Sequence, residues 1–213
     1  MFEKTKIIDG SMLKRIAIIS MTIDHVGVIL FPQYTWLRIM GRLALPIFAF
    51  LIAEGMTHTK DVKKYILRLA AFALISEVPF DFAIFKTFFY INYQNIFFTL
   101  LLGALSIYIY QTWGNLWMSL VGVLVLGMCA DMICADYGSP AVWLIFFLYA
   151  FRGRTIYIGG SLLVFNILVC GGIQTYGALA LLPIMLYNGT RGKGCKYFFY
   201  WYYPIHLLLL SLI

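Results

Sequence analysis

The chain has 213 residues, 62% of them hydrophobic and only 12% charged, where soluble domains average roughly 45–50% and roughly 25%. With a mean hydropathy of +0.88, too little polar surface is left to cover a water-soluble fold, which excludes a soluble enzyme, a disulfide-stapled secreted domain and a disordered chain. The net charge of +7 is read first as membrane topology, because Lys and Arg gather in cytoplasmic loops, and no nucleic-acid partner is expected. The apolar runs are continuous, without the alternation over about ten residues that marks a β-barrel strand. Spans that satisfy their own backbone hydrogen bonds in lipid are then helices. The expected fold class is all-α, a polytopic transmembrane helix bundle forming one integral membrane domain over residues 1–213.

In chain order, nine apolar segments are predicted: 13–31, 36–56, 65–85, 96–110, 116–134, 141–151, 156–170, 176–187 and 197–213. The first contains Asp24 and His25 and lacks a small-residue cleavage site, so it reads as a retained helix and not a signal peptide. The sixth and eighth fall short of the roughly 20 residues that cross a bilayer. They are either re-entrant or extended by their flanks, so the span count is eight to ten. Polar connections are short, and no linker or repeat divides the chain. Placing the N-terminus in the cytoplasm puts 12 of the 16 Lys and Arg residues on that side: Lys4, Lys6, Lys14, Arg15, Lys60, Lys63, Lys64, Arg152, Arg154, Arg191, Lys193 and Lys196. Only Lys86 falls outside. That bias supports an odd number of spans with the C-terminus outside, unless a short segment turns back. Cys129, Cys134, Cys170 and Cys195 form no C-x-x-C pair and read as small apolar fillers.

Once the loops are accounted for, ionisable groups remain inside the spans: Asp24, His25, Arg38, Arg42, Glu54, Glu77, Asp81, Asp131 and His206. Each costs at least roughly 2.5–3.5 kcal/mol at a helix centre unless it pairs or lines a wet cavity. At 1.5 Å per residue, His25, Arg42, Glu77 and His206 lie about 9–12 Å below the external ends of four different helices. Structural ion pairs that fix packing explain any one of these groups. Their common depth favours a site. Arg38 and Arg42 share a helix face, as do Glu77 and Asp81, so the two sets are expected to pair with each other. Adjacent residues on a helix point about 100° apart, which makes Asp24 a better partner for Arg38 or Arg42 than for His25. Glu77 is the first candidate to orient the His25 imidazole and leave its other nitrogen as a base. No H-x-x-x-H or H-E-x-x-H spacing is present, and no metal is expected.

The loop Tyr187-Asn188-Gly189-Thr190-Arg191-Gly192-Lys193-Gly194 is Gly-rich and basic. It is either a flexible turn or a cradle of N–H groups and cations for phosphates. Tyr202 stands one turn before His206, where it either hydrogen-bonds or packs.

Ile23-Asp24-His25-Val26-Gly27, the run from Arg38 to Gly55, Ser76-Glu77-Val78-Pro79-Phe80-Asp81, Leu186-Tyr187-Asn188-Gly189 and Tyr203-Pro204-Ile205-His206 resemble the TraX family. The resemblance runs in order from about residue 13 to the C-terminus. The family takes its name from the conjugation-plasmid protein that acetylates the pilin N-terminus at the bacterial inner membrane, and it is similar to the larger group of transmembrane acyltransferases. In that group a first-helix His follows a basic residue, as His25 follows Lys14 and Arg15 here. The resemblance implies an enzyme of the bacterial cytoplasmic membrane, multi-pass with its N-terminus in the cytoplasm. Acetyl-CoA would be the co-substrate, with Lys14, Arg15, Tyr187, Asn188, Arg191 and Lys193 around its phosphates. His25 would be the general base, with Arg42 or His206 stabilising the oxyanion and Asp24, Arg38, Asp81 and Glu54 completing the charged layer. The external acceptor would be a pilin peptide, a glycan or a small molecule. A small transporter or proton-coupled permease using the same charges, and a non-catalytic pilus or envelope assembly protein, are the alternatives.

Overall fold

The computed structural model describes residues 6–194 and 196–213, without the Lys196 side chain. Lys4 and Cys195, which entered the reading of topology and cysteines, lie outside the described residues. What is described is helical, with no strands. Helix α1 (Gly10–Ile29) starts at Asp9, whose carboxylate accepts from the Met12 N–H. The second predicted span divides into α2 (Thr35–Gly41) and α3 (Ala44–His58). Pro46 explains the break: it has no N–H to offer the carbonyl of Arg42, four residues back, and that carbonyl accepts from Gln174 Nε2 at 3.4 Å instead.

Helix α4 (Val62–Phe85) is capped by Asp61, and α5 (Ile96–Trp113) and α6 (Leu116–Met132) by Asn95 and Asn115. These short side chains satisfy first-turn N–H groups that have no partner inside the helix. After α7 (Gly138–Ala150) and α8 (Thr155–Leu163), the chain continues as a π-helical turn, Val164–Cys170, and a 3-10 segment, Gly172–Ala180. Short α9 (Leu181–Met185) and α10 (Lys196–Ser211) complete the bundle. The sixth and eighth predicted spans therefore correspond to α7 and to the 3-10 segment with α9.

Thr35–His58 and Ile96–Trp113 are long and apolar enough to cross a membrane, and four further apolar stretches are shorter. Large apolar side chains also face outward, Trp117, Met128, Ile156, Leu168 and Leu209 among them, as in a protein whose solvent is lipid.

Helix α1 packs against α2, α3 and α10, while α4 packs between α5 and α10. Leu13, Ile47, Leu69, Ile107, Ile145 and Leu207 are fully buried between them. Each end of the bundle is closed by backbone pairing. At one end Ile8 donates to Leu186 O and accepts from Asn188 N, and Gly10 donates to Thr190 O. At the other, Gln94 donates to Cys134 O and accepts from Asp136 N. The first clamp holds the basic loop against the start of α1; the second joins the α4–α5 and α6–α7 loops.

Candidate functional site

Two histidines from opposite ends of the chain meet between α1 and α10. His25 Nδ1 lies 2.7 Å from His206 Nε2, and His206 Nδ1 lies 2.8 Å from the Tyr202 carbonyl oxygen. A carbonyl only accepts, so His206 Nδ1 carries a proton and donates it. In the neutral ring His206 Nε2 is then the acceptor, and His25 Nδ1–H donates to it. His25 Nε2 is left with its lone pair. The directions of two hydrogen bonds thus define a base at one atom. Tyr202 stacks on His206 with ring centroids 5.0 Å apart, and its hydroxyl lies 2.8 Å from Thr22 Oγ1. Thr22 Oγ1 already donates to Ile18 O, so Tyr202 is the donor. This bond and the imidazole pair, one turn apart, tie α10 to α1. This corrects the expectation for Glu77: His206, not Glu77, orients His25. Glu77 Oε2 instead accepts from the Asn95 side chain and backbone, at the start of α5.

Asp24 pairs with Arg38 of α2, Nε at 3.3 Å, and with a terminal nitrogen of Arg42, the residue that ends that helix. The expected exchange between the two arginines and Glu77 with Asp81 does not occur. Asp81 accepts from the Tyr90 N–H at 2.7 Å and ties down the α4–α5 loop, and Asp131 accepts from the Ser139 N–H at the start of α7. Glu54 is not in the layer either. It lies 12 residues beyond Arg42, about 18 Å away along a helix, where Arg152 Nε donates to it at 2.7 Å. Arg42 continues inward: Nη1 donates to the Tyr137 hydroxyl at 2.7 Å, which donates to Gln174 Oε1 at 3.0 Å. Gln174 Nε2 donates to the buried Asn166 at 2.8 Å. Asn166 and Gln174 lie in the π and 3-10 segments, so the irregular backbone brings amides to the arginine.

A cavity of about 580 Å³ has Met21 and Tyr203 in its lining but neither imidazole of the His25–His206 pair. Lys14, Lys60, Lys64, Arg68 and Arg191 stand along its wall, Met21, Phe48, Phe97 and Leu100 give it an apolar interior, and Tyr203 lines it. Tyr203 also contacts His25, edge to face at 6.0 Å. Met21 is one turn before His25 on α1, so the cavity runs from a basic mouth toward the imidazoles with Tyr203 between. Of the residues expected around a phosphate donor, Lys14, Tyr187 and Arg191 line this cavity, while Arg15, Asn188 and Lys193 do not. Arg15 and Lys193 are exposed, and Asn188 caps its own loop by accepting from Thr190.

The family described as TraX protein matches residues 9–213, nearly the whole chain. The chain belongs to the TraX family. A probable fimbrial assembly protein, FimC of serogroup H1, from Dichelobacter nodosus, is 28% identical to this TraX-family chain over 93% of its length and 92% of the relative's. An uncharacterized protein, RP591, from Rickettsia prowazekii (strain Madrid E), is 33% identical over 47% of the chain and 37% of its own length. No solved structure matches.

Several residues of this candidate site give no signal in the sequence. Tyr137, Asn166 and Gln174 are uncharged and lie in irregular segments. Lys60, Lys64 and Arg68 read as topology or as helix interior. Among the described residues, no three His, Cys, Asp or Glu side chains converge as metal ligands.

Proposed function

We propose that this chain is a membrane-embedded acyltransferase that moves an acetyl or short acyl group from acetyl-CoA to an amine or hydroxyl on the far side of the membrane. The observation that carries the reading is the fixed tautomer pair, with a free His25 Nε2 near the inner end of a cavity whose mouth is basic. The acceptor's N–H or O–H gives its proton to His25 Nε2 as its heteroatom bonds to the thioester carbonyl carbon. The imidazolium that forms is held by its Nδ1–H bond to His206. The C–S bond then breaks, and His25 returns the proton to the leaving thiolate. His206 has both nitrogens engaged and offers nothing to an oxyanion. Arg42 has five N–H groups and three hydrogen bonds, so it retains donors for the developing charge.

An excess of wall cations over the already paired Asp61 and Glu54, an apolar interior and a base near the far end suit a polyanionic thioester donor. Membership of the TraX family and the relative's name as a fimbrial assembly protein favour a pilus subunit as acceptor. The expected setting is the bacterial cytoplasmic membrane, crossed by about nine spans in a transmembrane-acyltransferase-like bundle, with the N-terminus in the cytoplasm. That relative's name also favours the second reading, a non-catalytic assembly protein.

The test is transfer of radiolabel from acetyl-CoA to an envelope extract by purified protein. His25→Ala should stay folded, bind acetyl-CoA and lose transfer by about 10²–10⁴-fold. His206→Gln, whose amide oxygen can still accept from His25, should lose less than His206→Leu. Full specific activity in folded His25→Ala would remove the base from His25. No transfer by the wild-type protein, with retained binding to pilus components, would favour the assembly reading.

A further inference from the structure

Among the described cations of the cavity wall, Arg68 lies furthest into its helix. It is seven residues beyond the Asp61 cap of α4, which sets it roughly 10 Å in from the mouth. Its guanidinium lies over the Tyr65 ring, 5.7 Å from the centroid, and faces the Tyr200 hydroxyl. Its Nε is buried with no hydrogen-bond partner. The nearby carboxylates are taken: Asp61 by Lys64, and Glu54 by Arg152. Among the described residues no acid pairs with Arg68. Arg68 is half-buried, but a buried Nε–H with no acceptor is costly unless an anion completes it, and the planar fork suits two phosphate oxygens.

Depth along the helices says which phosphate this would be. Helices α1 and α4 both run inward from the mouth, where Gly10 and Asp61 line the cavity. His25 is 15 residues past Gly10, roughly 22 Å in, about 12 Å deeper than Arg68. The pantetheine arm of a CoA donor is about as long as four extended residues, roughly 14 Å. A thioester at His25 therefore brings the phosphate at the foot of that arm to the level of Arg68.

We propose that Arg68 is the inner phosphate-binding residue of the cavity, holding the phosphate that joins the pantetheine arm, while Lys14 and Arg191 hold the outer phosphates at the mouth. This rests on the donor assignment above.

The test uses three donors with purified full-length protein: acetyl-pantetheine, acetyl-4′-phosphopantetheine and acetyl-CoA, with none, one and all of the donor's phosphates. Arg68→Gln should raise KM by about tenfold or more for both phosphorylated donors and leave the KM for acetyl-pantetheine unchanged. Neutralising Lys14 and Arg191 together should weaken acetyl-CoA alone. Calorimetry of CoA and 4′-phosphopantetheine binding supplies a readout that needs no transfer, and Arg68→Gln should weaken both. Should Arg68→Gln fail to fold, Arg68→Lys keeps the charge without the fork and should weaken phosphopantetheine but not pantetheine. Wild-type KM and affinity for each of the three donors in a folded variant, with acetyl-CoA still used, would overturn the inference and leave the acyltransferase reading intact. Arg68-dependent CoA binding without transfer would do the reverse.

Discussion

Asp136 shows how much a single side chain gains from its surroundings. It lies in the loop between α6 and α7, where the Tyr93 hydroxyl donates to its carboxylate and Thr99 donates to its carbonyl. Burial pushes its carboxyl up to about 6 from the ordinary 3.8, against the opposing effects of the Tyr93 bond and the Arg42 charge. A carboxyl whose folded value is raised binds its proton more tightly in the native state. Its contribution to stability is therefore complete below the unfolded value and is lost as pH rises through the folded one. The melting temperature in detergent should fall as pH rises from about 4 to 6, and Asp136→Asn should make that slope shallower. An unchanged slope in the variant would assign the titration elsewhere.

At the level of elements, the site depends on how closely α1 approaches α2. Asp24 leans across Gly41, and a side chain at 41 would overlap the Asp24 carboxylate. That close approach lets one carboxylate take both arginines. Gly41→Ala should lower stability by about 1–3 kcal/mol through overpacking and reduce transfer by displacing Arg42. Gly160→Ala in α8 is the comparison, because nothing lies within 4 Å of a Cβ built there. Equal melting temperatures for the two variants would show that α1 and α2 have room to separate. The Pro46 break follows the same logic, since losing one helical bond directs the Arg42 carbonyl to Gln174. A proline at 46 is visible in the sequence, but what the freed carbonyl meets is not.

At the level of the whole molecule, the two clamped ends define opposite faces. One carries the basic mouth, formed by Lys60, Lys64 and Arg191; the other carries the α4–α5 and α6–α7 loops, with Asp136 and Cys134. With the N-terminus in the cytoplasm, the exposed Cys134 should react with an impermeant thiol reagent on intact cells stripped of their outer membrane. Cys195 should react only after the inner membrane is opened. The reverse pattern would invert the orientation and with it the side from which the donor enters.

Hydrophobicity and helix period by themselves determine the class of this protein and most of its helices, because every backbone group of a span must be satisfied locally. The predicted 65–85 and 116–134 differ from Val62–Phe85 and Leu116–Met132 by no more than a turn. The pairing of Asp24 with the arginines was also legible, since it follows from helix geometry within two neighbouring segments. The sequence places His25, Glu77 and His206 at one depth, but depth does not say which helices touch. Only the tertiary structure, by packing α10 against α1 and α4 against α5, gives His25 to His206 and Glu77 to Asn95. The cavity was equally hidden. Its cations come from α1, α4 and two loops, and a wall assembled from distant segments has no signature in any one of them.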